Sequence, residues 1–159
     1  MHLLFVCTGN TCRSPMAAFL ARRQLAERGL DWTVSSAGLS AAAGASMTPP
    51  AVQALIRRNV PLHAHQAQAV TEDLMKSADK VLAMTTNHAR ELRSRFPHQA
   101  RKVEVLGSYL RQDQHGDDAE CDIVDPFGGS DEVYEQSAAT LEQAVERLIE
   151  HLTGKGSAQ

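Results

Sequence analysis

The chain has 159 residues, of which 43% are hydrophobic, and this is enough for a single domain with one substantial core. The formal net charge of −3 and the lack of a Lys/Arg cluster argue against nucleic acid or a membrane surface as a partner, because either would need a concentrated basic stripe. The apolar run of residues 3–6 is too short for a secretory signal, and three cysteines do not build a disulfide framework. We therefore expect a cytoplasmic protein, a monomer, that recognises a small or local chemical group.

The first strand and helix follow directly from the N-terminus. Residues 2–7, HLLFVC, form an apolar run without polar alternation, which is typical of a strand buried on both faces of a sheet. The next helix is expected to begin with Ser14 as its N-cap and Pro15 as its first residue, since a side-chain acceptor followed by a preset backbone starts helices well. Gly29 is expected to close this helix.

Strands and helices go on alternating along the rest of the chain. The predicted elements are a strand at 32–38 (WTVSSAG), a helix at 48–59 capped by Thr48, a short helix at 71–78, a strand at 79–85 (DKVLAMT), a helix at 87–96, a strand at 102–106 (KVEVL), a long polar loop at 111–131 and a final helix from Asp131 to Leu152. Residues 1–152 are expected to form one domain and residues 153–159 a flexible tail. Such alternation predicts an α/β fold with a parallel sheet, in which ligands bind at the carboxyl ends of the strands.

The segment CTGNTCRS lies at that edge, directly after the first strand. Gly9 and Asn10 tolerate positive φ, so the backbone can curl and direct successive N–H groups inward, and the helix that follows adds its own free N–H groups and positive dipole end. Arg13 supplies a planar fork that fits two oxygens of a phosphate. The segment therefore predicts an anion cradle. It is not a Walker loop, because that pattern requires a lysine that is absent here.

Cys7 lies at the floor of this cradle, where the N–H groups, Arg13 and the helix terminus favour the thiolate. A thiolate beneath a bound phosphate is a nucleophile aimed at phosphorus. A buried cysteine at the end of a strand is the ordinary interpretation of a lone cysteine, but the arginine six residues later favours chemistry.

Dephosphorylation through a phosphocysteine also needs a proton donor for the leaving group and a base for the attacking water. One carboxyl group can play both parts in turn. In DIVDPFGGS, Asp125 is held before a proline in an extended conformation, although Asp-Pro and Gly-Gly are also common in surface turns.

These motifs resemble the low-molecular-weight protein tyrosine phosphatase family, through FVCTGNTCRSPMA near the N-terminus and VDPFGGS near the C-terminus. The segments SSAG (35–38), HQAQAVTEDL (65–74) and ADKVLAMT (78–85) extend the resemblance over nearly the whole chain. It implies a Rossmann-like, three-layer fold, a four-stranded parallel sheet with helices on both faces. It also implies catalytic roles for Cys7, Arg13 and Asp125. The residues expected to bind phosphate or support the loop are Thr8, Gly9, Asn10, Thr11, Cys12, Ser14, Ser36 and His65, with Ser14 supporting the thiolate and Ser36 and His65 bracing the loop through Asn10.

The chain departs from the tyrosine-specific pattern in the walls of the expected pocket. Thr11 stands where such enzymes commonly have an aliphatic residue, residues 39–48 contain no aromatic side chain, and Gly128 replaces a second aromatic, leaving Phe127 alone. Thr11 together with DPFGGS resembles the bacterial protein-arginine phosphatase branch. Phosphoarginine carries a charged guanidinium, so its pocket needs fewer stacking rings and more polar and acidic contacts. Thr11 and Phe127 are therefore expected to set substrate specificity.

Other residues leave alternatives open. Cys12 is either a small residue lining the loop or the partner of Cys7 in a reversible disulfide that would make the enzyme redox-sensitive. His63 and His88 are expected at the surface or in structural roles, with substrate contact as the alternative. The acidic residues before Asp125 either attract a cationic substrate or are simply solvated, and we favour the second interpretation; they are Asp113, Asp117, Asp118, Glu120 and Asp122. A metal site could also be drawn from His115, Asp117, Asp118, Cys121 and Asp122, but no zinc-type spacing is present.

We therefore predict a cysteine-dependent protein phosphatase that hydrolyses phosphoarginine in proteins, without a metal or organic cofactor and without nucleic-acid or membrane partners. A protein tyrosine phosphatase is the nearest alternative. An arsenate reductase is less favoured, because it would use a relay of resolving cysteines and only Cys121 lies outside the loop.

Overall fold

All strands of the central sheet run parallel to their neighbours. The computed structural model describes residues 1–111 and 121–154. Its strands are β1 (His2–Cys7), β2 (Thr33–Gly38), β3 (Lys80–Ala83) and β4 (Val103–Val105), and its α-helices are α1 (Arg13–Glu27), α2 (Pro49–Arg57), α3 (Glu72–Ser77), α4 (Thr86–Arg95) and α5 (Asp131–Leu152). Two 3₁₀ helices, Pro97–Lys102 and Leu106–Leu110, flank β4. The predicted order of elements is confirmed, with the bounds of most strands and helices shifted by one or two residues.

The strand order β2-β1-β3-β4 places β1 in the interior of the sheet. Cys7, the last residue of β1, pairs with Gly38 of β2, and Val6 pairs with Ala83 of β3. The chain leaves β1 toward β2 and leaves β3 toward β4, so the two connections diverge and open a crevice between the carboxyl ends of β1 and β3. The segment after Cys7 therefore starts at the place where parallel sheets bind ligands.

Helices cover both faces of the sheet. Leu3 and Phe5 of β1 belong to an apolar cluster with α1, α2 and α5, whereas Leu4 and Val6 belong to a second cluster with α3 and α4. Successive side chains of a strand point to opposite faces, so an unbroken apolar run requires a cover on each side. The four strands and two helical layers confirm the predicted α/β fold class.

The start of α1 differs from the expectation. The helix begins at Arg13 with Cys12 in the N-cap position, and no side chain caps it. Ser14 lies inside the first turn, fully buried, and its hydroxyl contacts Cys7 and Asn10 instead of a helix N–H. The prediction of Ser14 as N-cap was wrong, because the buried polar groups of the preceding loop compete for the same hydroxyl.

Two further helix termini bear on the site. Thr48 takes the N-cap position of α2 as predicted, but its hydroxyl donates to the phenol oxygen of Tyr134 at 3.3 Å rather than capping the helix. Helix α5 spans the predicted Asp131–Leu152, and the Ser130 hydroxyl caps it by accepting from the N–H of Val133. Residues 112–120 of the predicted 111–131 loop and residues 155–159 of the predicted tail lie outside the described residues. Of the helices that are described, none is long and apolar enough to cross a membrane.

Gly38 sets how closely β2 approaches the segment after β1. A methyl group at this position would lie 2.5 Å from the carbonyl oxygen of Thr8 and 3.1 Å from the backbone nitrogen of Asn10. We expect Gly38→Ala to lower the free energy of unfolding by about 1–3 kcal/mol, the usual cost of overpacking, and to weaken binding of inorganic phosphate. Urea denaturation and phosphate titration measure the two effects. Ala43→Ser, an exposed change in the following loop, is the control and should leave both unchanged.

Candidate active site

The sulfur of Cys7 lies at the floor of the loop formed by residues 7–13. The side chain is 3% exposed, and its Sγ accepts a hydrogen bond from the N–H of Asn10 at 3.3 Å. The Ser14 hydroxyl lies 2.8 Å from the same sulfur. Because both groups are able to donate, they stabilise a negative charge on Sγ. The structure thus places the predicted nucleophile where a thiolate has hydrogen-bond donors.

Asn10 organises this loop. It is fully buried with a backbone φ of 57°, and its side-chain nitrogen donates to the hydroxyls of Ser14 and Ser36, each at 2.9 Å. Its side-chain oxygen accepts from the N–H of Gln68 at 3.0 Å, and its carbonyl oxygen lies 2.8 Å from Nε2 of His65. The structure therefore brings Ser36 and His65 onto Asn10. Of the two loop residues that tolerate positive φ, only Asn10 uses it, and Gly9 does not.

The backbone of the loop offers free donors. Within the part of the chain that the structure describes, the N–H groups of Gly9, Thr11 and Cys12 have no hydrogen-bond acceptor. Helix α1 starts at the same point, so its unpaired N–H groups and positive dipole end add to the field. These donors together form an anion-binding site of the kind that phosphate occupies at helix N-termini.

Arg13 and Asp125 meet at the mouth of this loop. The Arg13 side chain is only 6% exposed, and its guanidinium donates from Nη1 to the carbonyl oxygen of Ile123 at 2.9 Å and has Nη2 3.4 Å from Oδ2 of Asp125. The other carboxylate oxygen of Asp125 accepts from the N–H of Phe127 at 3.1 Å. Since the Asp125 side chain is 56% exposed, water screens its charge, and the buried arginine keeps much of its attraction for an anion.

A pocket of about 180 Å³ opens above the sulfur. The residues that line it are Cys7, Thr8, Gly9, Thr11, Cys12, Arg13, Asp125 and Phe127. Larger hollows of about 300 and 420 Å³ lie elsewhere on the surface and contain no cysteine. Phe127 is the one aromatic residue of the active-site lining and is 71% exposed. The pocket is therefore distinguished by its chemistry, a thiol, an arginine and a carboxylate, rather than by its size.

Cys12 is turned toward the helices rather than into solvent. Its Sγ lies 3.4 Å from the Thr48 hydroxyl and 3.5 Å from the phenol oxygen of Tyr134. Burial raises the pKa of Tyr134, so its phenol stays protonated and neutral. Cys7 and Cys12 are both free thiols, so the structure is that of the reduced loop.

His88 makes a contact with the loop that the sequence did not predict. It lies in α4, is only 8% exposed, and its Nε2 is 2.8 Å from the hydroxyl oxygen of Thr8. The expectation for this histidine was a surface position or a structural role, and its burial and its contact with Thr8 agree with the structural role. Burial, followed by the positive charge of Arg13, lowers the pKa of His88, and the acidic groups Glu91, Asp122 and Asp125 oppose this only in part. His63 is exposed and packs edge-on against Phe19 at 4.8 Å.

Other candidates do not join the pocket. Asp122 accepts from the N–H and the hydroxyl of Thr86, which fastens the segment before Asp125 to the start of α4. Cys121 is buried against Gly107 and is absent from the pocket lining. No group of three His, Cys, Asp or Glu placed to hold a metal is found within residues 1–111 and 121–154. Four of the acidic candidates, Asp113, Asp117, Asp118 and Glu120, and His115 lie outside the described residues.

Comparison with known proteins places this geometry in context. The sequence model of the low molecular weight phosphotyrosine protein phosphatases matches residues 2–158. A protein-arginine-phosphatase of Bacillus subtilis is 42% identical over 152 residues, 96% of this chain and 97% of the relative. The tyrosine phosphatase PtpB of Staphylococcus haemolyticus is 35% identical and covers 93% of this chain and 97% of its own length.

One solved structure is closely similar to the fold of this chain. It is a cysteine-to-serine variant of the YwlE arginine phosphatase with a phosphorylated active-site serine. The likeness has a TM-score of 0.87 at 41% identity and covers 96% of each chain.

The three side-chain hydrogen bonds of Asn10, to Ser14, Ser36 and Gln68, generate the first prediction from the site. Asn10→Ala removes them and places alanine in a left-handed conformation, so we expect weaker phosphate binding and a loss of about 2–4 kcal/mol of stability. Asn59→Ala is the matched control, because Asn59 has nearly the same φ of 56° but no part in the loop. Calorimetry with phosphate and urea denaturation compare the two variants. Equal losses of phosphate affinity in both would contradict the role of the Asn10 contacts.

The lowered pKa of His88 predicts how stability changes with pH. The folded state holds this histidine neutral. Below the ordinary histidine pKa of about 6.5, the folded state therefore binds fewer protons than the unfolded state does. This contribution to stability is fully present above that pH and is lost as the pH falls toward the folded-state value. Urea denaturation between about pH 8 and about pH 5 should show a smaller loss in His88→Gln than in the wild type.

Proposed function

Because the chain belongs to the low molecular weight phosphotyrosine protein phosphatase family, we propose that it is a cysteine-dependent protein phosphatase that hydrolyses phosphoarginine in proteins through a phosphocysteine intermediate. One observation carries the proposal. The Cys7 sulfur lies at the floor of an anion-binding loop, with hydrogen-bond donors directed at it and with Arg13 and Asp125 at the mouth of the same pocket.

The first chemical step transfers the phosphoryl group to the enzyme. The free N–H groups of the loop and the Arg13 guanidinium hold the non-bridging oxygens, and their charge stabilises the transition state. The Cys7 thiolate attacks phosphorus in line, so an S–P bond forms as the P–N bond to the substrate breaks. Asp125 gives its proton to the leaving nitrogen.

The second step releases phosphate. A water molecule enters at the position vacated by the leaving group, and Asp125, now a carboxylate, removes its proton as the water attacks phosphorus. The S–P bond breaks and the thiolate is restored, with the Ser14 hydroxyl and the Asn10 N–H as its donors. Asp125 ends the cycle protonated. Arg13 also pairs with the Asp125 carboxyl, so a phosphate that binds Arg13 competes with this ion pair.

The residues that line the pocket favour binding of a guanidinium group over binding of a phenyl group. Thr8, Thr11 and Asp125 provide oxygen atoms, and the exposed Phe127 is the sole ring lining the pocket. A phosphotyrosine ring gains most from stacking between apolar surfaces, whereas a guanidinium requires hydrogen-bond acceptors. The 42% identity to the Bacillus subtilis protein-arginine-phosphatase supports the same choice.

Two alternative functions would use the same anion-binding loop with a different substrate. A tyrosine phosphatase would use the same nucleophile, arginine and acid, and the 35% identity to PtpB favours it as the second candidate. An arsenate reductase would need a resolving cysteine able to reach the loop. Cys121 is 4% exposed and lies outside the pocket lining, which argues against that reaction.

The test is release of phosphate from phosphoarginine and from phosphotyrosine in one buffer, with a Cys7→Ser preparation as the blank. We expect a higher kcat/KM for phosphoarginine, and binding without turnover in the serine variant, because its hydroxyl lacks an accessible anion. A preference for phosphotyrosine would overturn the substrate assignment, and turnover by Cys7→Ser would overturn the nucleophile.

Asp125→Asn tests the proton donor. We expect kcat to fall by about 10²- to 10⁴-fold with phosphate affinity nearly intact, because only proton transfer is removed. Asp122→Asn is the matched control, since an amide oxygen can still accept from Thr86. Steady-state kinetics on both variants decide the matter, and a harmless Asp125→Asn beside a damaging Asp122→Asn would reverse the assignment.

Thr11→Ile tests the choice of substrate. It removes a hydroxyl from the pocket wall and adds apolar surface for a phenyl ring, so the kcat/KM ratio should move toward phosphotyrosine. A lost hydrogen bond to a charged group costs about 1.5–3 kcal/mol, which corresponds to about ten- to hundredfold. Thr11→Val, which has almost the same volume, separates the lost hydroxyl from the added bulk. An unchanged ratio in both variants would mean that Thr11 does not read the substrate.

A further inference from the structure

A contact across the crevice of the sheet joins the loop after β1 to the helix after β3. Thr8 is the first loop residue after Cys7 and lines the pocket, and His88 lies in the first turn of α4. Nε2 of His88 is 2.8 Å from Oγ1 of Thr8. These residues are 80 positions apart in the chain, and only the parallel pairing of β1 with β3 brings them together.

The surroundings of His88 decide which atom of this contact carries the proton. His88 is only 8% exposed, and within the described part of the chain its buried Nδ1 has no hydrogen-bond partner. A buried N–H without an acceptor is rarer in proteins than a buried acceptor without a donor. The neutral ring therefore carries its proton on Nε2, and that N–H donates to Thr8. Burial and the charge of Arg13 keep the ring neutral, although Glu91, Asp122 and Asp125 also face it.

The direction of this hydrogen bond determines what Thr8 can offer to a ligand. A threonine hydroxyl has one O–H and two lone pairs. With one lone pair occupied by His88, the O–H is free to turn into the pocket that Thr8 lines. In the opposite tautomer the same O–H would be used by His88, and the pocket would lose a donor beside its anion site.

We propose that His88 is a positioning residue of the anion loop, whose neutral ring donates through Nε2 to Thr8 and leaves the Thr8 hydroxyl free to donate to a bound phosphoryl oxygen. This inference rests on the proposed phosphatase function of the same site. His88 acts only through Thr8 and does not touch the reacting atoms. The pair adds one donor to those of the loop backbone and ties the position of the loop to helix α4.

A double-mutant cycle tests the pair with inorganic phosphate as the ligand. Thr8→Val removes the hydroxyl at nearly constant volume, and His88→Leu removes the ring donor. Each should weaken phosphate binding by about three- to tenfold, the value of one hydrogen bond, and the double variant should bind no more weakly than either single variant. Two losses that multiply in the double variant would overturn the proposal. His98→Leu, at an exposed histidine of the adjoining 3₁₀ segment, is the control.

The rescue by His88→Gln separates positioning from folding. The terminal amide nitrogen of glutamine reaches the place of Nε2 and can donate to Thr8, so this variant should bind phosphate within about twofold of the wild type. A purely structural role would lower the urea midpoint of His88→Leu without changing its phosphate affinity or KM. If His88→Leu does not fold, Thr8→Val and His88→Gln still decide the question, because both keep the helix intact.

The tautomer has a direct spectroscopic signature. Long-range ¹H–¹⁵N correlation of the imidazole at neutral pH should show Nε2 protonated and Nδ1 unprotonated for His88. The opposite pattern would overturn the proposal. Phosphate binding and the tautomer need no turnover, so they stand apart from the proposed function: an enzyme inactive on both phosphoamino acids could still show the coupled pair, and an active one could lack it.

Discussion

Asn10 lies at the tightest point of the loop with a φ of 57°, and its carboxamide bonds Ser14, Ser36 and Gln68 at once. Asparagine tolerates this left-handed conformation better than most residues, and the buried bonds hold the backbone there. The same conformation directs the Asn10 N–H at the Cys7 sulfur. If these bonds were absent, the loop could relax and its free N–H groups would no longer converge on one ligand.

The charge of the site is arranged around a buried arginine. Arg13 is the first residue of α1, so the helix fixes its backbone while its guanidinium reaches across to the carbonyl of Ile123 and to Asp125. Burying a guanidinium beside an exposed carboxylate leaves its charge only partly compensated, and a bound phosphoryl group completes the compensation. The same arrangement leaves the Asp125 side chain 56% exposed at the mouth of the pocket, within reach of a ligand bound there.

The loop after β1 and the segment that leads to Asp125 are both held by residues that directly follow β3. Asp122 bonds Thr86 at the start of α4, and the N–H of Ile123 donates to the carbonyl of Met84, which sets the segment that leads to Asp125. His88, two residues further along α4, contacts Thr8 on the other side of the crevice. Helix α4 therefore contacts both the loop that carries Cys7 and the segment that leads to Asp125.

The sequence by itself determined the local features of this protein. Apolar runs and helix termini predicted the alternating elements, and the spacing of Cys7 and Arg13 predicted the anion loop, because strand burial and a helix start depend on neighbouring residues. The tertiary structure decided the contacts between distant segments. It turned Ser14 from a helix cap into a partner of Cys7, buried His88 against Thr8, and placed Asp125 beside Arg13. No local pattern encodes these contacts, because each depends on the order and register in which β1, β2 and β3 pair.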